Sequence, residues 1–266
     1  MKKTLIQGLI IIACFFATWF VLSQVDWINI LKIKKVTNKT EEKLGELFWD
    51  IFDKSEKEIK NPFIISTIDS IVNTVCSANG IDRSFIKLHL CDNDEINAFA
   101  LPNGHIVIYS GLILVSNNQG ELSGVICHEL AHIQLNHVMK KLVKEIGLSV
   151  LLSMTTGNSG SEIIKKAAKL LSSSAYDRSL EQEADIKAVD YLVKAHIDPE
   201  HFANFIYRLS EKEHEAMKYL SWTSTHPESK ERAEYILEYS KNKEIEHEEI
   251  LSGETWELLK EKLMNK

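Results

Sequence analysis

The chain has little cysteine, and what it has is scattered. Cys14, Cys76, Cys91 and Cys127 form no CxxC pair and no other metal-type spacing, which excludes a cysteine-based zinc module. Cys14 falls in an apolar leader and Cys127 in an apolar stretch, where each reads as a small buried hydrophobe, while a Cys76–Cys91 disulfide stays open. Basic charge is also short. Lysine and arginine number 31 against 38 aspartates and glutamates, a net charge of −7, so the positive field that nucleic acid requires is missing and no nucleic-acid partner is expected. No repeat of about 30 to 45 residues is visible, which excludes a solenoid or a propeller. Past the leader no apolar run is long enough to span a bilayer. Ile146 to Met154 is short and interrupted by Gly147 and Ser149, and reads as a buried helix or a loop dipping into a surface.

What is present is an ordinary globular composition, 44% hydrophobic and 26% charged over 266 residues, enough to bury a full core. It follows a leader in which Lys2 and Lys3 precede an uncharged run from Thr4 to Val25, roughly 33 Å long as a helix. Phe20-Val21-Leu22-Ser23-Gln24 offers no good small-x-small cleavage site, and Ile11-Ile12-Ala13-Cys14 would leave a strongly apolar mature terminus if it were a lipidation box, so an uncleaved anchor is expected. Lysines flank both ends, with Lys32, Lys34, Lys35 and Lys39 on the far side, and their count alone leans against export. A short basic terminus followed at once by an uncharged helix outweighs it. The expectation is a single-pass membrane protein with its catalytic domain outside the cytoplasm, in the periplasm.

Residues 37 to 60 carry Leu44, Leu47, Phe48, Ile51 and Phe52 at three- and four-residue spacing, an amphipathic stalk or first helix. Pro62 opens a second helix whose stripe of Ile64, Ile68, Ile71, Val72 and Val75 runs to a C-cap at Gly80. Three short β-rich runs follow, Ile86 to Cys91, Ile96 to Leu101 and His105 to Tyr109, the last two joined by the turn Pro102-Asn103-Gly104. From Gly120 the periodicity is helical over 120 to 137, 161 to 173, 180 to 196, 199 to 211 and 227 to 240. Thr155 to Ser161 reads as a mobile Gly/Ser-rich loop and Ser172 to Ser174 as another. Trp256, Leu259 and Leu263 after Ser252 form a capped amphipathic helix that packs back on the core or binds a partner. The fold class is α+β, mostly helical with one small sheet. The organisation expected is an anchor over 1–36, a stalk over 37–61, a catalytic domain over 62–240 and an amphipathic tail over 241–266.

His128-Glu129-Leu130-Ala131-His132 is HExxH within a helical apolar pattern, so both imidazoles leave one helix face a turn apart, at the separation a tetrahedral zinc requires. Glu129, rotated round the helix, reaches an attacking water without ligating the metal. Ten histidines make the motif moderate evidence by itself. A catalytic zinc needs a third protein ligand. The HExxHxxGxxH pattern fails at Leu135 and Val138, and His137 reads as a surface or helix-end histidine pointing off the ligand face. Glu181-Gln182-Glu183-Ala184-Asp185 supplies the alternative: Glu181 on the metal, Asp185 one turn on against a ligating imidazole, and Glu183 on the opposite side in solvent.

Four motifs in one order then resemble the family of zinc peptidases that includes the CAAX prenyl endopeptidases, the HtpX heat-shock proteases and the BepA-like periplasmic proteases. They are Asn97-Ala98-Phe99-Ala100-Leu101-Pro102, HELAH, Glu181 to Asp185 as ExxAD, and His226-Pro227 with Arg232. The resemblance runs from about residue 62 to residue 240. It departs at Asn103, where the family often has glycine, and at Ala188, which replaces a frequent glycine. It implies a zincin-like domain with one zinc ion per catalytic domain, an edge strand at Asn97, Ala98, Phe99 and Ala100 that pairs with an extended substrate, and His226 near the metal. For His226 two roles stay open: a donor to the developing oxyanion, or a latch on the open zinc position. The implied activity is endopeptidase cleavage of protein or peptide substrates, with quality control of misfolded or envelope proteins as the role. A zinc-retaining chaperone that holds unfolded clients without cutting them is the alternative, and retention of Glu129 argues against it. The oligomeric state is not read from the sequence.

Overall fold

The structure is a computed structural model that describes Gln7, Phe16 and residues 33–212, 221–227, 229–241, 243 and 249–265. Apart from Gln7 and Phe16, the anchor expected over Thr4 to Val25 lies outside the described residues, and among the described residues no helix is long and apolar enough to cross a membrane. The chain divides into two compact units, Met1–Thr40 and Glu41–Lys266. The described residues of the first are all helical. The sheet, the core and the candidate site belong to the second.

Helix α1 (Ile33–Ser55) buries the predicted stripe of Leu44, Phe48 and Phe52. Helix α2 (Pro62–Asn79) starts with the Asn61 side chain accepting the backbone N–H of Phe63 and Ile64, and ends where Gly80 turns left-handed at φ 62°, as its sequence predicts. Strands β1 (Lys87–Cys91), β2 (Ala98–Leu101) and β3 (His105–Tyr109) form one sheet in the order β1-β3-β2, with β1 parallel and β2 antiparallel to β3. Asn103 and Gly104, at φ 63° and 74°, supply the two consecutive left-handed residues that a tight hairpin favours. Asparagine tolerates that region through its short polar side chain, so the hairpin survives without a second glycine.

The rest is helical: α3 (Ser110–Val115), α4 (Gln119–Gln134), α5 (His137–Ile146), α6 (Leu148–Thr155), α7 (Ser161–Ser173), α8 (Arg178–Lys194), α9 (Glu200–Lys212), α10 (Ser221–Thr225), α11 (Ser229–Ser240) and α12 (Gly253–Met264). The α+β class is as expected. Helix α4 is the centre of the unit. Every residue from Gly120 to Ile133 is buried, because α8, α9 and β2 surround it. A side chain at Gly124 would collide with Phe202 of α9, so glycine there sets how closely the two helices approach.

Two expectations are corrected, and the open question of a Cys76–Cys91 disulfide is answered. The segment 120 to 137 is two helices, broken where Asn136 adopts φ 57°. Ser172 and Ser173 complete α7 instead of forming a loop, their hydroxyls bonding back to the carbonyl of Lys169 within the helix. Cys76 and Cys91 are free buried thiols. Ile146 to Met154 contributes helix α6, which buries Leu151 and Met154. The tail helix α12 is capped by Ser252 and packs Trp256, Leu259 and Leu263 against α2 and α3.

Candidate metal centre

Helix α4 presents His128 and His132 one turn apart, with their Nε2 atoms 3.0 Å from each other. Helix α8 crosses it and brings Glu181 against both: Oε2 lies 3.5 Å from His128 Nε2 and Oε1 3.3 Å from His132 Nε2. His226, just past α10, adds a fourth donor. Its Nδ1 is 3.1 Å from His128 Nε2 and 3.0 Å from each Glu181 oxygen. One ligand atom from each of the four falls within 4.8 Å of the others. A tetrahedral zinc about 2.0–2.1 Å from its ligands sets neighbouring donors roughly 3.3 Å apart. The spacing and the nitrogen-and-carboxylate chemistry of this set therefore fit a zinc ion.

The surroundings hold these donors in place. Asp185, one turn after Glu181, lies 2.8 Å from His128 Nδ1, which leaves His128 Nε2 facing the cluster. Burial alone would raise the Asp185 carboxyl, but Arg232 and His128 override it and bring it down to about 2. Arg232 donates from two nitrogens to the two Asp185 oxygens, 2.7 Å each, and from a third to the His226 carbonyl at 3.0 Å. The Tyr235 hydroxyl also donates to Asp185. The same Arg232 lies 2.9 Å from Glu181 Oε2, and together with His226 it holds that carboxyl well below its usual range in spite of burial.

Glu129 sits beside the cluster, not in it. Both of its oxygens are buried, with His226 Nε2 3.4 Å from Oε1 and the Ala100 amide against the carboxyl. Burial raises the Glu129 carboxyl to about 7, with His128 opposing and Glu181 adding to the rise. A base poised near neutrality is what proton abstraction at working pH requires.

The sheet edge faces this carboxylate. Tyr109 N donates to Asn97 O, and in an antiparallel ladder alternate pairs bond, so Ala98 and Ala100 turn their backbone groups to the outer side of β2. That edge is covered. Ala98, Phe99 and Ala100 are buried, α7 packs on the strand, and Asn97 Nδ2 donates to the Ser172 carbonyl at 3.2 Å. A cleft of about 940 Å³ runs between α1 and α7, with Asn97 and Ser224 in its wall, but none of the four clustered donors lines it.

Three residues round the cluster escape sequence reasoning. His137 was expected off the ligand face and at the surface or a helix end. It does start α5, but it is fully buried, with Nδ1 3.0 Å from His132 Nδ1. The ring of Tyr176 stacks on His132 at 4.1 Å between centroids, and its buried hydroxyl has no hydrogen-bond partner among the described residues. Lys141 places its amine 4.0 Å from the Tyr176 ring centroid and donates to the Ser174 carbonyl, and burial lowers its amine to about 8. No motif marks Tyr176 or Lys141. For His137 the left-handed Asn136 was the available signal. Glu183, expected in solvent, is half exposed, yet its Oε2 lies 3.2 Å from His137 Nε2.

Fold and site together define a mostly helical α+β domain that presents a buried HExxH metal cluster. Residues 66–240 match Peptidase family M48, and the chain belongs to that family. It is 27% identical to the beta-barrel assembly-enhancing protease of Yersinia pestis over 69% of this chain and 40% of that protein. It is 29% identical to the mitochondrial metalloendopeptidase OMA1 of Bos taurus over 68% of this chain and 38% of that one. The metalloprotease LoiP of Escherichia coli is 32% identical, over 62% of this chain and 68% of its own length. The chain thus spans about two fifths of the first two relatives.

Proposed function

We propose that the chain is a zinc-dependent endopeptidase that hydrolyses peptide bonds in unfolded or loop segments of envelope proteins. The observation that carries this reading is Glu129, a fully buried carboxyl set against the ligand cluster but not part of it, with His226 Nε2 3.4 Å from Oε1 and the Ala100 amide beside it. Burying a carboxyl this deeply costs stability, and a purely structural metal site gains nothing from a carboxyl that does not ligate.

A zinc ion held by His128, His132 and Glu181 would supply Lewis acidity to the scissile carbonyl and to water. Glu129 takes the proton from the attacking water and passes it to the leaving amine. The outer edge of β2, with the backbone of Ala98 and Ala100, offers an extended substrate a strand to pair with. That pairing needs α7 to move aside, and the cleft next to Asn97 is the direction from which a peptide reaches the edge.

His226 supports a second reading of its own role. With Nδ1 among the ligand atoms it fills the position that a catalytic zinc site leaves open, which favours the latch over the oxyanion donor. Trp222 stacks on it at 4.8 Å and Arg232 holds its carbonyl, so release requires 222–227 to shift as a unit.

The uncharged run from Thr4 to Val25 and relatives named for β-barrel assembly and for mitochondria support a membrane-anchored enzyme working outside the cytoplasm. Casein cleavage by the purified protein, abolished by a zinc chelator and restored by added zinc, tests the activity. Binding of unfolded casein without cleavage would instead favour the chaperone reading. Labelling of introduced cysteines on intact cells tests the side of the membrane.

A further inference from the structure

The two ligand histidines are oriented by different means. His128 Nδ1 meets the Asp185 carboxylate directly at 2.8 Å. Among the described residues His132 meets no carboxylate through its Nδ1. It meets another histidine, His137, at 3.0 Å, and His137 Nε2 in turn lies 3.2 Å from Glu183 Oε2. On an unbroken helix, residues five apart would diverge by about 140°. The left-handed Asn136 ends α4 and starts α5 so that His137 turns back onto His132. Glu183 stands two residues after Glu181 and two before Asp185 on α8, so one helix reaches the metal, one imidazole directly and the other through a relay.

We propose that His137 and Glu183 are positioning residues for the metal, a two-step relay that fixes the tautomer and ring orientation of His132. The bonding allows one arrangement. His132 Nε2 faces Glu181 and the cluster, so its proton sits on Nδ1 and is donated to His137 Nδ1. His137 then carries its proton on Nε2 and donates it to Glu183. The negative charge at the end of the relay increases the basicity of His132 toward the ion. The Tyr176 ring, stacked on His132 from one side, keeps the imidazole from rotating away. The proposal rests on His132 ligating zinc, the reading given above.

The test is zinc affinity of the full chain by competition with a chromophoric chelator, read without any substrate. His137 is fully buried and its removal endangers folding, so the informative variants are at the half-exposed Glu183. Glu183→Ala is expected to weaken zinc binding about 10-fold or more. Glu183→Gln, which still accepts the His137 proton without the charge, is expected to recover part of that loss. In a His137→Gln background Glu183→Ala should have no further effect, since the relay is already cut. An unchanged affinity in Glu183→Ala, or a full independent loss in the His137→Gln background, would overturn the relay. A wild type that binds zinc tightly but cleaves nothing would instead contradict the peptidase reading and leave the relay standing.

Discussion

Arg232 grips Asp185 with two nitrogens, each 2.7 Å from a carboxylate oxygen, and both side chains are buried. The pair lies between α11 and α8 and connects the end of the domain to the metal helix through His128. Removing the arginine leaves Asp185 in the interior without its principal cation and Glu181 without one of its positive neighbours, and stranding a buried charge typically costs roughly 3–5 kcal/mol. Arg232→Ala is expected to destabilise the protein by that order in urea unfolding. Arg232→Lys should recover only part of it, because an ammonium cannot reproduce the planar two-point contact. A loss below about 1 kcal/mol would show that the pair is not structural.

The position of His226 yields a prediction with two signs. If it closes the ligand set, His226→Ala opens the fourth position, and peptide turnover rises while zinc stays bound through His128, His132 and Glu181. If it donates to the developing oxyanion, turnover falls by roughly 100- to 1000-fold. The close approach of His226 Nδ1 to His128 Nε2 and Glu181 leads us to expect the rise. Initial rates on a short peptide, paired with metal content, decide between them.

A pH effect should arise away from the metal, at the face of the sheet. His105 and His89 are linked at 2.9 Å, with Lys87 at the far side of His105, Glu58 at the far side of His89, and Trp49 stacked on the His89 ring. Burial, followed by Lys87 and His89, lowers His105 from 6.5 to about 3. Unfolding lets it protonate at its ordinary value. Its contribution to stability is therefore complete above about pH 6.5 and is lost as pH falls from there toward 3. Between about pH 7.5 and about pH 5 the wild type should lose on the order of 2 kcal/mol more than His105→Gln. Equal losses in urea titrations of the two proteins would contradict this.

Much of the site is written in local periodicity. The four-residue spacing of His128 and His132 and of Glu181 and Asp185 survives into the structure because each pair lies within one unbroken helix. The hairpin was legible from Pro102-Asn103-Gly104, and the order β1-β3-β2 was not, since nothing local to β1 says that it runs parallel beside the later strand. The place of His137 is not legible from helical periodicity, because Asn136 breaks the helix between it and His132. Tyr176 and Lys141 are illegible for a different reason. Their contact with His132 is made across segments that share no pattern, and only packing brings them together. The covering of β2 by α7 is likewise a tertiary fact, and it turns an expected open substrate edge into a closed one.

If Glu129 is the general base beside a zinc held by its neighbours, Glu129→Gln separates metal binding from catalysis. Zinc content and casein turnover are read on the same purified sample beside the wild type. The amide keeps the shape of the side chain and removes its basicity, so about one zinc per chain is expected in both proteins, with turnover lowered by roughly 100-fold or more in the variant. Turnover close to the wild-type rate, with zinc retained, would contradict it.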